Sequence, residues 1–202
     1  MVADIFDEPG TRVSPPTKLA HVVLRTGTNF SRMVDFYKTF LGAKASFEND
    51  FISFISYDEE HHRIAIVAAR GCGPKVPNSS GLHHIAFSYD SLTTLAVAYR
   101  QRKKLGIMPV WSVNHGPTSS IYYRDPDGNM IETQVDNFST SEEATTFMMS
   151  KEFMDNPFGT DFDPEELIER LRAGESDASI KRRNEIGPRT EPRAVLRRQH
   201  KI

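Results

Sequence analysis

Cysteine is nearly absent from this chain of 202 residues. Cys72 stands alone, so no internal disulfide can form and no thiolate cluster for zinc or iron–sulfur is available. It lies in GCGP, a turn-like connector where a nucleophile is not expected. Long apolar runs are also missing: no stretch approaches about 18 apolar residues, which argues against a membrane-spanning helix. The opening MVADIFDEPG is acidic and has no cationic stretch leading into an apolar one, so it does not read as a secretory signal. Charge of one sign is not in excess either. Lys and Arg number 25 against 27 Asp and Glu, a net charge of -2, too balanced to imply nucleic acid or an anionic membrane as partner. A reducing, cytoplasmic compartment is the expectation.

What is present has an internal order. Residues 1–17 read as a leader ending in the turn-like SPPT. KLAHVVLRT (18–26) has the pattern of a strand. A helix follows, with Asn29 or Ser31 as cap, Met33, Phe36, Tyr37, Phe40 and Leu41 at helical spacing, and Gly42 as its stop. KASFEN and FISFISY read as strands around an Asn49–Asp50 turn, and HRIAIVAA (62–69) as another. After the connector GCGPKVPNSS (71–80) the order begins again: LHHIAFSY as strand, SLTTLAVAYRQRKKLG as helix, then IMPVWSVN, SSIYYRD and NMIETQV as strands. Two βαβββ modules, 18–70 and 81–136, are therefore predicted. Each is too small to bury a comfortable core alone. Paired, they would curl their strands into one shared concave mixed sheet with helices outside, an α+β fold. Residues 137–180 form a helical appendage, with TSEEATTFMMSKEF and PEELIERLRAGE as helices and NPFGTDFD as a loop. Residues 181–202 form a basic tail, solvated or lying on a partner subunit.

Histidine carries the chemistry. His21 and His84 open equivalent strands of the two modules, and Glu132 lies on the last strand. Side chains on a strand alternate between faces, so His21, His84 and Glu132 can meet on the concave side. Two imidazoles and a carboxylate leave sites open on a divalent ion and suit Fe(II), with Mn(II) second. The alternative is that both histidines are satisfied core residues and Glu132 ends a strand in solvent. His62, His115 and Tyr122 are further candidates, for proton transfer or for hydrogen bonding to charge that develops on oxygen. Against that stand a polar-loop histidine and an outward tyrosine. His61 and His83 read as neighbours of the working histidines, and His200 as tail. DPDGN (125–129) lacks the length and oxygen spacing of a calcium loop and reads as a tight turn. Phe51, Phe54, Trp111 and Met108 either line an apolar pocket or pack the core.

HVVL with FYKTFLG, then GLHHIAF, then YYRDPDGNMIE together resemble the vicinal oxygen chelate superfamily of glyoxalases, bleomycin-resistance proteins and dioxygenases, over residues 18–136. The resemblance implies that His21, His84 and Glu132 hold the metal. The first module has no inward carboxylate like that of glyoxalase I. HHRIAI, the HGP loop and a tyrosine ten residues before Glu132 resemble extradiol ring-cleaving dioxygenases instead. That likeness gives His62, His115 and Tyr122 catalytic positions, with Tyr123 as the adjacent alternative. Two features depart from the pattern: the HGP loop is about two residues short, and there is one pair of modules where many relatives have two.

The activity implied is Fe(II)-dependent extradiol cleavage of a catechol-type ring with O2. A small aromatic diol and O2 are the expected partners, with no nucleic acid and no membrane, and the chain is expected to form a homo-oligomer. The same fold also accommodates a metal-dependent lyase or isomerase, and a metal-free small-molecule binding protein.

Overall fold

The computed structural model describes residues 6–7, 9–76 and 79–191. His200 and the end of the basic tail, with parts of the leader and connector, lie outside the described residues. The first half runs β1 (Val22–Thr26), α1 (Phe30–Leu41), β2 (Lys44–Glu48), β3 (Ile52–Ser56) and β4 (Ile64–Ala68). The second half repeats the order with β5 (His84–Ser88), α2 (Leu92–Lys104), β6 (Trp111–Asn114), β7 (Thr118–Arg124) and β8 (Met130–Asp136). The fold is thus α+β, built from repeated βαβββ modules. The C-terminal region adds α3 (Ser141–Met148), α4 (Lys151–Asp155), β9 (Thr160–Asp161), α5 (Pro164–Arg172) and α6 (Asp177–Lys181).

The strands form two mixed sheets, ordered β1-β4-β3-β2 and β5-β8-β7-β6-β9. This differs from the single shared sheet expected. β1 and β5 are edge strands, each paired in parallel on one side with β4 or β8, and no ladder joins the two sheets among the described residues. A common core joins the halves instead. Met33, Tyr37 and Phe40 of α1, Ile55 and Ile66 of the first sheet, Leu92 and Leu95 of α2, and Ile121, Tyr123 and Ile131 of the second sheet belong to one buried cluster. Each such side chain, fully buried, contributes roughly 1.5–3 kcal/mol.

Polar contacts fix the halves against each other. Arg102 of α2 is buried, donates from Nε and Nη2 to the Phe40 carbonyl at 3.0 and 2.8 Å, and lies 4.0 Å from the Phe40 ring centroid. Tyr37 donates to Asp125 Oδ2 at 3.0 Å. Asn29, at the α1 N-cap, makes no side-chain cap and instead donates to Asp127 at 2.7 Å. The first helix thereby grips the DPDG turn that aims β8.

The appendage departs from its expected form in two ways, and the basic tail in one. Its first helix breaks after Met148, because the Ser150 hydroxyl accepts from the Phe153 N–H and starts a new helix. The NPFGTDFD segment contains β9, which pairs with β6 through Val113↔Asp161 and Asn114↔Thr160. The basic segment is not wholly a solvated tail, since Arg183 is buried and donates to the carbonyls of Asn156, Glu152 and His115.

Candidate metal centre and active site

Strand register builds most of the site. Trp111 pairs with Tyr122, Tyr122 with Glu132, and Glu132 with Ala86. Opposed residues share a face, so these four form one row across β6, β7, β8 and β5. The small Ala86 leaves room beside Glu132. His84, two residues before Ala86 on the same face, reaches back and places Nε2 2.9 Å from Glu132 Oε2. Its Nδ1 meets His83 Nδ1 at 2.7 Å.

Glu132 is buried. Burial alone would raise its pKa, but hydrogen bonds from His84, Ser120 and Tyr122 outweigh it and hold the carboxyl below its ordinary value. The group is a carboxylate at neutral pH. Tyr122 is pushed the other way, first by burial and then by the Glu132 charge, so its phenol keeps its proton. His115, in the loop after β6, places Nε2 2.9 Å from Tyr122 Oη. Burial lowers its pKa more than the Glu132 charge and the Phe158 backbone hydrogen bond raise it, leaving a neutral imidazole at neutral pH.

The first half holds a second cluster. His21 immediately precedes β1, and His62 lies two residues before β4, so both sit at strand mouths rather than within strands. The parallel β1–β4 pairing brings them together, with ring centroids 4.2 Å apart. His61 joins them: one ligand atom from each of His21, His61 and His62 lies within 4.8 Å of the others. His62 is buried, stacks on Phe54 at 4.6 Å, and its Nδ1 has no hydrogen-bond partner among the described residues. Burial, then the neighbouring His21 and His61, lowers its pKa.

Of the sequence candidates, the structure brings together His84, Glu132, Tyr122 and His115 in the second half, and His21 with His62 in the first. His21, His84 and Glu132 do not converge as closely as the three imidazoles do among the described residues. Tyr123, the alternative to Tyr122, points into the core and packs on Phe40 at 5.1 Å. Trp111 stacks on Tyr122 at 5.0 Å, while Phe51 and Met108 are exposed. Ser120 escaped the sequence reading. It lies two residues before Tyr122 on the same strand, and period-two alternation from Tyr122 marks it as facing Glu132.

Comparison with known proteins places this architecture. The family model for the Glyoxalase/Bleomycin resistance protein/Dioxygenase superfamily matches residues 18–133. Biphenyl-2,3-diol 1,2-dioxygenase 2 of Rhodococcus globerulus is 45% identical over 158 residues, 78% of this chain and 83% of that one. Biphenyl-2,3-diol 1,2-dioxygenase 3 of the same organism is 41% identical over 165 residues, 81% and 86% respectively. Among solved structures, a glyoxylase/bleomycin resistance protein/dioxygenase domain from Frankia sp. EAN1pec is 21% identical with a TM-score of 0.50. It covers 60% of this chain and 99% of its own. Among the described residues, no helix is long and apolar enough to cross a membrane.

Proposed function

The chain belongs to the glyoxalase/bleomycin resistance protein/dioxygenase superfamily, and we propose that it is an extradiol dioxygenase, opening a catechol-type ring with O2 through Fe(II) held by His21, His84 and Glu132. The observation that carries this reading is its likeness, over most of their length, to two dioxygenases acting on biphenyl-2,3-diol. Cleavage between positions 1 and 2 of a 2,3-diol breaks the bond beside the hydroxylated pair. We place the enzyme in the cytoplasm as a homo-oligomer.

The donor set fits a divalent metal. Glu132 is an ionised carboxylate with the His84 imidazole already against it. His21 supplies a second nitrogen from the equivalent strand mouth, and the orphaned Nδ1 of buried His62 is a polar atom awaiting a partner. Mixed nitrogen and oxygen donors suit Fe(II), with Mn(II) as second choice. When bound, the iron supplies the path for electrons between diol and dioxygen and the charge that favours a deprotonated diol.

The chain's own residues do the rest. Tyr122, which keeps its proton, donates to oxygen on which charge builds. His115 orients that phenol through the 2.9 Å contact at Nε2. His62, neutral at neutral pH, takes a proton from the substrate hydroxyl and returns it as the ring opens. Phe54 stacks on His62 and Trp111 on Tyr122, which restrains both groups.

The compact trio of imidazoles favours a second ligand assignment, His21, His61 and His62. Anaerobic reconstitution with Fe(II), iron analysis and oxygen uptake on a catechol panel that includes 2,3-dihydroxybiphenyl test both. Glu132→Ala is expected to lose iron and activity, with His61→Ala keeping both; the reverse pattern favours the three-histidine set. His62→Ala is expected to keep iron and lose at least about a hundredfold in kcat. Iron binding without oxygen uptake on any diol would turn the reading toward a lyase or isomerase.

A further inference from the structure

We propose that Asp161, from the segment beyond both modules, is a positioning residue for Tyr122 and His115, acting through Trp111. The inference rests on the reading of those two residues as catalytic.

β9 lies along β6 and delivers Asp161 to the outer side of the site. Its Oδ1 accepts from Trp111 Nε1 at 2.7 Å and from Arg189 Nη1 at 2.9 Å. The same arginine nitrogen donates to the Gly159 carbonyl at 3.0 Å, and the guanidinium lies 5.8 Å from the indole centroid. Trp111 is thereby held at its polar edge by a carboxylate and at its ring by a cation. Besides packing with Val113 and Met130, it touches both catalytic side chains. The indole stacks on the Tyr122 ring at 5.0 Å with 22° between planes, and meets the His115 ring edge-on at 5.4 Å.

A tyrosine ring turns about the bond to its Cβ, and a flat neighbour restrains that rotation. An indole restrains it only if it cannot rotate itself. Hydrogen bonds to a charged acceptor are about twice as strong as neutral ones, so Asp161 gives Trp111 the fixity that it passes to Tyr122. The family match ends at residue 133, before Asp161. The 158-residue likeness to the first Rhodococcus dioxygenase is longer than that match and extends past the modules.

Trp111 is the chain's single tryptophan, so indole emission reports the surroundings of this residue and no other indole. The experiment compares wild type, Asp161→Asn and Asp161→Ala as iron-loaded full-length protein, by emission, iron content, kcat and KM. Asp161→Ala is expected to shift emission to the red, keep its iron, and lower kcat about tenfold with KM changed less than about twofold, a fraction of the ~hundredfold that a 1 Å misplacement can cost. Asp161→Asn, which still accepts from the indole, is expected to recover at least half of kcat. Unchanged emission, or shifted emission with wild-type kcat, overturns the proposal. If Asp161→Ala does not fold, Trp111→Phe removes the N–H but keeps a ring. On that background Asp161→Asn should change nothing further, and an additional loss of kcat overturns the idea. If wild type consumes no oxygen with any diol, the dioxygenase reading fails separately. The emission of Asp161→Ala, Tyr122→Phe and their double variant then decides the positioning role: non-additive shifts support it and additive shifts overturn it.

Discussion

Asp125 shows how a single residue is held before any chemistry begins. Its carboxylate accepts from the Asp127 and Asn129 N–H groups, the Asn129 amide and the Tyr37 hydroxyl. Burial still leaves its pKa raised. A raised carboxyl contributes its full stability below the unfolded pKa and loses part of it as pH rises through the folded one, so at neutral pH each donor offsets a cost. Tyr37→Phe should therefore destabilise by about 1–2 kcal/mol, read as a Tm lower by roughly 4 °C. That the strand candidates His84, Tyr122 and Glu132 would share a face was legible in sequence, because alternation fixes it. The meeting of His21 with His62 depends on a parallel pairing of β1 with β4 that no local pattern encodes. Asp161 had no local sign at all, because a two-residue strand is too short to show a period.

At the scale of elements, β9 and its turn bear on the site through Gly159. This glycine has φ +81°, and a Cβ there would lie 2.1 Å from the Asn114 carbonyl oxygen and 2.6 Å from His115 Cα. Gly42 also has a positive φ, +61°, but open space around it. Gly42→Ala should cost about 1–2 kcal/mol from backbone strain alone. Gly159→Ala must add displacement of the His115 loop, so thermal melts should show a larger drop, with lower kcat only in the second variant. α5 docks on α2 through Glu165, which accepts from Tyr99, Arg100 and Lys103. Hydrogen bonds from Lys103 and Tyr99 lower its pKa from 4.5 to about 2. A depressed carboxyl contributes above its unfolded pKa and loses that contribution as pH falls. Protection from hydrogen exchange across 164–172, taken relative to the intrinsic rate at each pH, should therefore fall between pH 4.5 and about 2, and less so in Glu165→Gln.

For the whole molecule, the repeat was legible because helix and strand periods recur in order, and the two-sheet outcome was not, because it depends on which edges remain unpaired. Arg102 ties the halves with a fork of donors on one carbonyl. Lysine has the charge without the fork, so Arg102→Lys should lower stability by about 2 kcal/mol and Tm by roughly 6 °C. Unfolding should remain a single transition by circular dichroism and by indole emission, since one core spans both halves. The pairing of β9 with β6 also sets a timetable. Asp161 follows Trp111 by 50 positions, so during synthesis both modules leave the ribosome before the strand that carries Asp161 to Trp111. A nascent chain can thus gather its histidines early, yet it acquires a fully braced tyrosine only when the segment through Arg189 has emerged.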